Sequence, residues 1–284
     1  MNTAPIRWPA EAIWEAVSLL LPGFTVEVLP TIDSTNSELM RRARAGRCEP
    51  TLLVAEQQTA GRGRLGRAWQ SDVGASLMLS LGLPLAPQDW SGLSLAVGVS
   101  VAESLQPALP PPGAVQPARV GLKWPNDLWL GGAAGDRKLG GILVETASFV
   151  APQASAPAAA TASASSARYV VVGIGINVLP RSAEGMSMPP GSLQEVEPGL
   201  DAPAALLRIV PPLVAMLQSF EAYGFGPMQP RFAARDVLQG RAVTLSDGQS
   251  GTAHGVGEDG ALLVHTPGGM QAVTSSEISV RPAA

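Results

Sequence analysis

The stretch Thr51-Leu52-Leu53-Val54-Ala55, joined through residues 56–60 to Gly61-Arg62-Gly63-Arg64-Leu65-Gly66-Arg67-Ala68-Trp69, passes from an unbroken apolar run into glycine-spaced arginines. The first part has the composition of a buried strand. The second sets three arginines on a backbone that neither a helix nor a central strand tolerates, so it predicts a mobile loop that starts at a sheet edge with rigid support behind it. Planar guanidinium forks match the oxygens of phosphate, and glycines let backbone N–H groups approach the same anion. Gly61, Gly63 and Gly66 also satisfy G-x-G-x-x-G. That dinucleotide fingerprint needs a helix opening inside the motif and an acidic residue about 20 positions on, whereas Ala68 to Gly74 continues as irregular chain, so the match is rejected.

Composition narrows the classes further. The chain has 284 residues, 46% of them hydrophobic, enough for one substantial domain and a small one. A net charge of -4 excludes a generally basic surface for nucleic acid or anionic lipid. Cys48 has no partner cysteine, and His254 and His265 are the two histidines, so neither a disulfide framework nor a Cys/His zinc site can be assembled. Trp8, Pro9, Glu11 and Glu15 interrupt any signal-type apolar core, and nowhere do 18 apolar residues run together. A soluble cytoplasmic protein is expected.

Periodicity organises the rest. A helix is expected over Pro9 to Leu21, a strand over Thr25 to Leu29, and a second helix that ends near Gly46. Before that second helix, Thr35 and Glu38 have capping-box spacing. Ala75 to Leu83 reads as a buried strand, Ser91 to Leu105 as an apolar helix, and Leu139 to Thr146 and Tyr169 to Val178 as further strands. Residues 147–167, almost entirely Ala, Ser, Pro and Thr, read as a disordered insertion between paired strands. A long amphipathic helix over Ala202 to Tyr223 is expected to be interrupted at Pro211-Pro212. From Arg241 on, short alternating runs between glycine turns predict a small β-barrel packed on the larger unit.

Two further segments carry chemistry. Lys123-Trp124-Pro125-Asn126-Asp127 places a cation, an aromatic face and a carboxylate in one turn, and Lys138 precedes paired glycines at the head of an apolar strand. A backbone can approach a ligand closely at such glycines, so an ammonium there is well placed for phosphate.

DSTN at Asp33 to Asn36, GRGRLGRAW at Gly61 to Trp69, KWPND at Lys123 to Asp127, KLGGILVE at Lys138 to Glu145 and GIGIN at Gly173 to Asn177 occur in one order, and together they resemble the biotin protein ligases. The terminal EISVR, Glu277 to Arg281, resembles the end of that family's SH3-like module. The resemblance implies an α+β fold: a mixed β-sheet catalytic domain flanked by helices, of class II synthetase-like type, over residues 1–235, and an SH3-like β-barrel over 236–284. It implies that ATP and biotin are substrates, with Mg²⁺, and that biotinyl-5′-AMP forms before the biotinyl group passes to a lysine of the biotin carboxyl carrier protein domain of acetyl-CoA carboxylase or a similar carboxylase.

By the same resemblance, Lys138 and Arg64 are catalytic. Ser34, Thr35, Asn36, Gln58, Gly61, Arg62, Gly63, Arg64, Trp69, Lys138 and Gly141 hold biotin. Arg62, Arg64, Arg67, Trp69, Lys123, Lys138, Asn177 and Arg281 hold ATP or the adenylate, and Asp127 holds the magnesium ion. Neither step needs an enzyme nucleophile, in keeping with one cysteine and two dispersed histidines. Only short chain precedes the first expected strand, so no DNA-binding domain, no DNA partner and no membrane partner are expected, and the protein is expected as a monomer or homodimer. Lipoate-protein ligase, which shares the fold, and a non-catalytic biotin-binding regulator are the alternatives.

Overall fold

The computed structural model describes residues 5–111, 118–131, 135–148, 167–183, 188–246, 248–274 and 280–282. The insertion expected over 147–167 falls almost wholly outside the described residues, as do Glu277 to Ser279 of the terminal motif.

A helix α1 (Ala10–Val17) leads into β1 (Thr25–Ile32), α2 (Thr35–Arg44) and β2 (Thr51–Gln58). β1 and β2 pair in parallel, which a tight turn cannot connect, so α2 serves as the crossover. β3 (Ser76–Leu85), α3 (Leu93–Leu105), β4 (Arg119–Lys123), β5 (Asp127–Gly131), β6 (Arg137–Ser148) and β7 (Arg168–Asn177) follow. Together the strands make a seven-stranded sheet of order β1-β2-β3-β7-β6-β5-β4, antiparallel everywhere except at β1/β2.

Side-chain alternation divides this sheet into two faces. Leu52, Val54, Val170 and Val172 point into the main core with α1, α3 and a long helix α4 (Ala202–Tyr223). Leu53, Tyr169 and Val171 point the other way, where Leu39, Met40 and Ala43 of α2 cover them. The second face is covered over only part of its length. Beyond α2 it is open, and there the site lies.

Three expectations change. α4 is continuous through Pro211 and Pro212. Ile209, Val210, Leu213 and Val214 around them are all fully buried, so packing outweighs the lost backbone bonds. Of the helices among the described residues, α4 is the one long and apolar enough to cross a membrane, and half of that apolar span is buried inside the protein. The first helix stops at Val17 rather than Leu21, giving way to turns before Gly23 at φ 80°. Finally, Ser34 and not Thr35 caps α2, accepting from Ser37 N–H, while Glu38 instead pairs with Arg41 and Arg42.

After the short helix α5 (Gln229–Ala233) come β8 (Ala242–Leu245), β9 (Ser250–Val256), β10 (Leu262–Thr266), β11 (Gly269–Val273) and β12 (Val280–Pro282). They form a five-stranded antiparallel sheet of order β11-β10-β9-β8-β12, the SH3-like unit. Val243, Leu262 and Val264 join the main core, so this small sheet does not stand alone. The connecting chain is also tied to the large sheet. Leu122 N–H donates to Arg235 O at 2.8 Å and Val237 N–H to Leu122 O at 3.0 Å, and the indole N–H of Trp124 donates to Gly260 O at 3.0 Å.

Asp236 sits in that tie. One carboxylate oxygen accepts from Leu238 N–H at 2.8 Å, while the other is buried with no hydrogen-bond partner among the described residues. Burial raises its pKa from the ordinary 3.8 to about 6, against the opposing pull of the Leu238 and Gln239 N–H groups. A carboxyl with a raised folded pKa contributes stability that is present below about pH 4 and is lost as pH rises through about 6. Asp236→Asn removes the buried charge and keeps the acceptor. It should therefore raise the melting temperature by roughly 4–8 °C at about pH 7.5, corresponding to on the order of 2 kcal/mol, with little gain at about pH 4.5. Equal shifts at both pH values in a thermal scan would contradict this account.

Candidate active site

The open part of the second face begins where residues lose their side chains. Along β7 that face carries Tyr169, Val171, Gly173 and Gly175, and along β6 it carries Glu145, Leu143 and Gly141, paired with Val171, Gly173 and Gly175 respectively. The glycines leave a hollow beside α2. A Cβ at Gly173 would lie 2.1 Å from Asn36 Oδ1, and one at Gly175 would lie 2.6 Å from the Trp69 ring. The result is a cavity of about 640 Å³, within the range of small-ligand sites.

The N-terminus of α2 makes its polar end. Asp33 accepts from Ser34 N–H at 2.7 Å and is gripped through both oxygens by Arg41, at 2.7 and 2.9 Å. This arginine bond is the main reason the Asp33 pKa falls to about 2. Gln58 Oε1 accepts from both the N–H and the hydroxyl of Thr35, at 2.7 and 3.0 Å. The fully buried Ser80 hydroxyl stands 2.7 Å from Thr35 Oγ1 and 2.6 Å from Asn36 Oδ1. Each group thus has its orientation set by a neighbour, as a pre-shaped polar pocket requires.

The arginine loop is not irregular chain. Arg62 bridges Ala68, Gly63 N–H donates to Arg67 O at 2.7 Å and Trp69 N–H to Gly61 O at 2.8 Å, so it folds into a narrow ribbon with a turn at Arg64–Gly66. Leu65 at that turn has φ 56°, a left-handed conformation costing a non-glycine residue roughly 1 kcal/mol. Trp69, at the ribbon's base, lies against Gly175, and its indole N–H is buried with no partner among the described residues. Burial pulls the Arg64 pKa down, with Asp127 opposing, as expected for a cation turned toward the cavity.

Lys138 reaches the cavity through a bulge. β6 pairs Gly140 with Leu128 but Lys138 with Trp129, skipping Leu139, which goes fully into the core. In a regular strand Lys138 and Gly141 would face opposite sides; the extra residue brings the lysine onto the face of Gly141 and Asp127. Its ammonium meets Asp127 Oδ1 at 2.7 Å and lies 5.9 Å from the Trp69 ring centre. Its carbonyl accepts from Asn177 Nδ2 at 3.2 Å. On the next strand Lys123 stands over the Trp129 ring, 5.2 Å from its centre.

Ser34, Thr35, Asn36 and Gln58 therefore line the same cavity as Arg62, Gly63, Arg64, Arg67 and Trp69, and as Lys123, Asp127, Lys138, Gly141 and Asn177. Gly61 is not on that wall. It is buried behind Trp69, where a Cβ would approach Trp69 O to 2.6 Å. Arg281 lies in β12 opposite Thr244, in the small sheet. Among the described residues no group of three or more His, Cys, Asp or Glu could hold a metal ion, and the Asp127 carboxylate is engaged by Lys138, so these residues do not build a metal centre of their own.

Sequence reasoning missed Arg181, which lines the cavity while donating to Gln70 O at 2.8 Å and pairing with Asp72 at 3.0 Å. No motif marks it. It also missed Ser80, a lone serine within an apolar strand, which is the available clue to a buried polar contact.

A mixed sheet with an α2-capped pocket on one face and an SH3-like sheet at the C-terminus defines a two-part ligase architecture. Residues 28–155 match the biotin/lipoate A/B protein ligase family, and residues 238–281 match the biotin protein ligase C-terminal domain. The bifunctional ligase/repressor BirA of Escherichia coli is 37% identical over 273 residues, covering 93% of this chain and 76% of that protein. The biotin–[acetyl-CoA-carboxylase] ligase of Mycobacterium tuberculosis is 38% identical over 157 residues, 54% of this chain and 49% of that one. The structure of the Aquifex aeolicus biotin protein ligase in complex with biotin and ATP superposes with a TM-score of 0.69 at 28% identity, covering 91% of this chain and 99% of that chain. This chain belongs to the biotin protein ligase family.

Gly173→Ala should force its methyl into Asn36 and break the contacts of Asn36 with Ser80. A cost of roughly 2–3 kcal/mol is expected in chemical denaturation, from overpacking and a stranded buried amide. A value within about 0.5 kcal/mol of the parent would show that the hollow is not held at this tolerance.

Proposed function

We infer that the protein is an ATP-dependent ligase that activates biotin as biotinyl-5′-AMP and transfers the biotinyl group to a carrier lysine. The observation that carries the residue-level reading is the Lys138 ammonium, set by the β6 bulge between Asp127 and Trp69 at the junction of the α2 pocket and the arginine ribbon.

In the first step the biotin carboxylate attacks the α-phosphorus of ATP and pyrophosphate leaves. In the second, the carrier amine attacks the acyl carbon, AMP leaves, and the amine loses a proton. Neither step uses a covalent bond to the enzyme. Catalysis then rests on alignment and on cations placed where negative charge grows.

Lys138 is assigned to the carboxylate and α-phosphate and Arg64 to the same developing charge, with Arg67, Lys123 and Asn177 toward the nucleotide. The α2 groups Ser34, Thr35 and Asn36, together with Gln58, are assigned to the polar head of biotin. Trp69 is assigned as an apolar wall. Arg281 remains assigned to the nucleotide. Magnesium is assigned as a guest of the ATP phosphates, which usually bring it with most of its ligands, leaving Asp127 at most one contact.

An acyl-phosphate anhydride hydrolyses in water, so the ribbon's second task is to exclude solvent until the carrier arrives. The partner is proposed to be the biotin carrier domain of acetyl-CoA carboxylase or a similar carboxylase, met in the cytoplasm, where ATP is made available to the reaction.

Incubation with biotin, MgATP and a carrier domain should add one biotinyl mass to the carrier, read by mass spectrometry. Lipoate in place of biotin should add none. Lys138→Ala should lower ATP–pyrophosphate exchange by roughly 10²–10³-fold, the scale for deleting one charge-stabilising group. Parental exchange in a folded Lys138→Ala variant would remove the assignment.

A further inference from the structure

We propose that Glu145 is a positioning residue that latches the arginine ribbon over the cavity by holding Arg62, which makes Arg62 a lid anchor and not a phosphate ligand. This deepens the ligase reading and rests on it.

Arg62 Nη2 stands 3.3 and 3.2 Å from the two Glu145 oxygens, and Arg62 Nε donates to Ser37 Oγ at 3.1 Å. One guanidinium thus ties the ribbon to β6 and to the first turn of α2, elements 83 and 25 positions away in sequence. Arg62 is placed there by the ribbon's own geometry, because its backbone bridges Ala68 at the ribbon's base.

Glu145 is not on the cavity wall, so its effect reaches the ligand through Arg62. The anchor it offers is stiff. Asn36 Nδ2 donates to Glu145 Oε2 at 3.0 Å and also to Leu143 O at 3.2 Å. Asn36 itself is 4% exposed and held on its oxygen side by Ser80. A chain of fixed contacts therefore runs from the buried floor of the pocket, through Asn36 and Glu145, to the lid.

The charge balance fits the same division of labour. Of the ribbon's arginines, Arg62 is the one whose guanidinium is tied at once to a β6 carboxylate and an α2 hydroxyl in the contacts described above. For Arg62 to turn to a phosphate it would have to give up both the Glu145 and the Ser37 contacts. The side chains of the pair are 42% and 27% exposed, so the bond is a modest one. A modest bond suffices, because a lid must open each turnover and a several-fold bias toward closure is all it needs.

The test uses the full chain with biotin and MgATP. Glu145→Gln should speed release of the bound adenylate by about 3–10-fold and raise the KM for biotin by a similar factor, with kcat for pyrophosphate exchange at saturating biotin within about twofold of the parent. Arg62→Gln should likewise speed adenylate release by about 3–10-fold, and the double variant should release no faster than either single one, because the two residues act as one unit. Additive losses, or a fall in kcat for Arg62→Gln with unchanged adenylate release for Glu145→Gln, would overturn the latch and return Arg62 to the phosphate. A ligand-free measurement separates this from the ligase reading: amide hydrogen exchange across residues 61–69 should quicken in Glu145→Gln, and unchanged protection refutes the latch even if the parent proves to be an active ligase. An inactive parent with quickened exchange would refute the ligase reading and keep the contact.

Discussion

The absence of side chains at Gly141, Gly173 and Gly175 on one face of a continuous sheet is the constraint from which the site follows. A sheet normally covers each face with apolar bulk, and here α2 covers one stretch of that face while the next is walled by Trp69 and the arginine ribbon across a cavity. Such a gap is tolerable because the opposite face, packed by α1, α3 and α4, carries the main core. The hollow costs little stability where it lies, and it lets Asn36 and Trp69 approach the sheet more closely than any residue with a Cβ would permit.

Given that hollow, a single irregularity determines what chemistry enters it. The bulge before Gly140 turns Lys138 to the cavity side while Leu139 fills the core behind it. In a regular strand with Gly141 on the cavity side, Leu139 would share that face and Lys138 would point to the core; the extra residue reverses both. The Asp127 carboxylate then aims the ammonium, and the Trp69 ring lies near it. The Lys138 ammonium is thereby held on paired strands, while Arg62, Arg64 and Arg67 reach the same cavity from the ribbon.

The ribbon's arginines are distinguished by surroundings and not by residue type. Arg62 meets a carboxylate and a helix-turn hydroxyl. Arg64 is half-buried, and burial lowers its pKa, with the Asp127 charge opposing and Arg67 adding to the fall. All three arginines border the one cavity. Packing of the SH3-like sheet against the same core, through Val243, Leu262 and the Trp124 bond to Gly260, gives the turn that carries Lys123 and Asp127 a fixed base.

From residue order alone came the mixed sheet with its helices, the small C-terminal β-unit, the family resemblance and about half of the residues on the cavity wall. These are legible because apolar periodicity and glycine–arginine spacing act over a few neighbouring positions. The continuity of α4 through Pro211-Pro212, the capping by Ser34, the inward turn of Lys138 and the joining of Arg62 to Glu145 were decided only in three dimensions. Each depends on which partner stands across a sheet or beyond a helix, and local propensity carries no information about partners that meet only after the chain has folded.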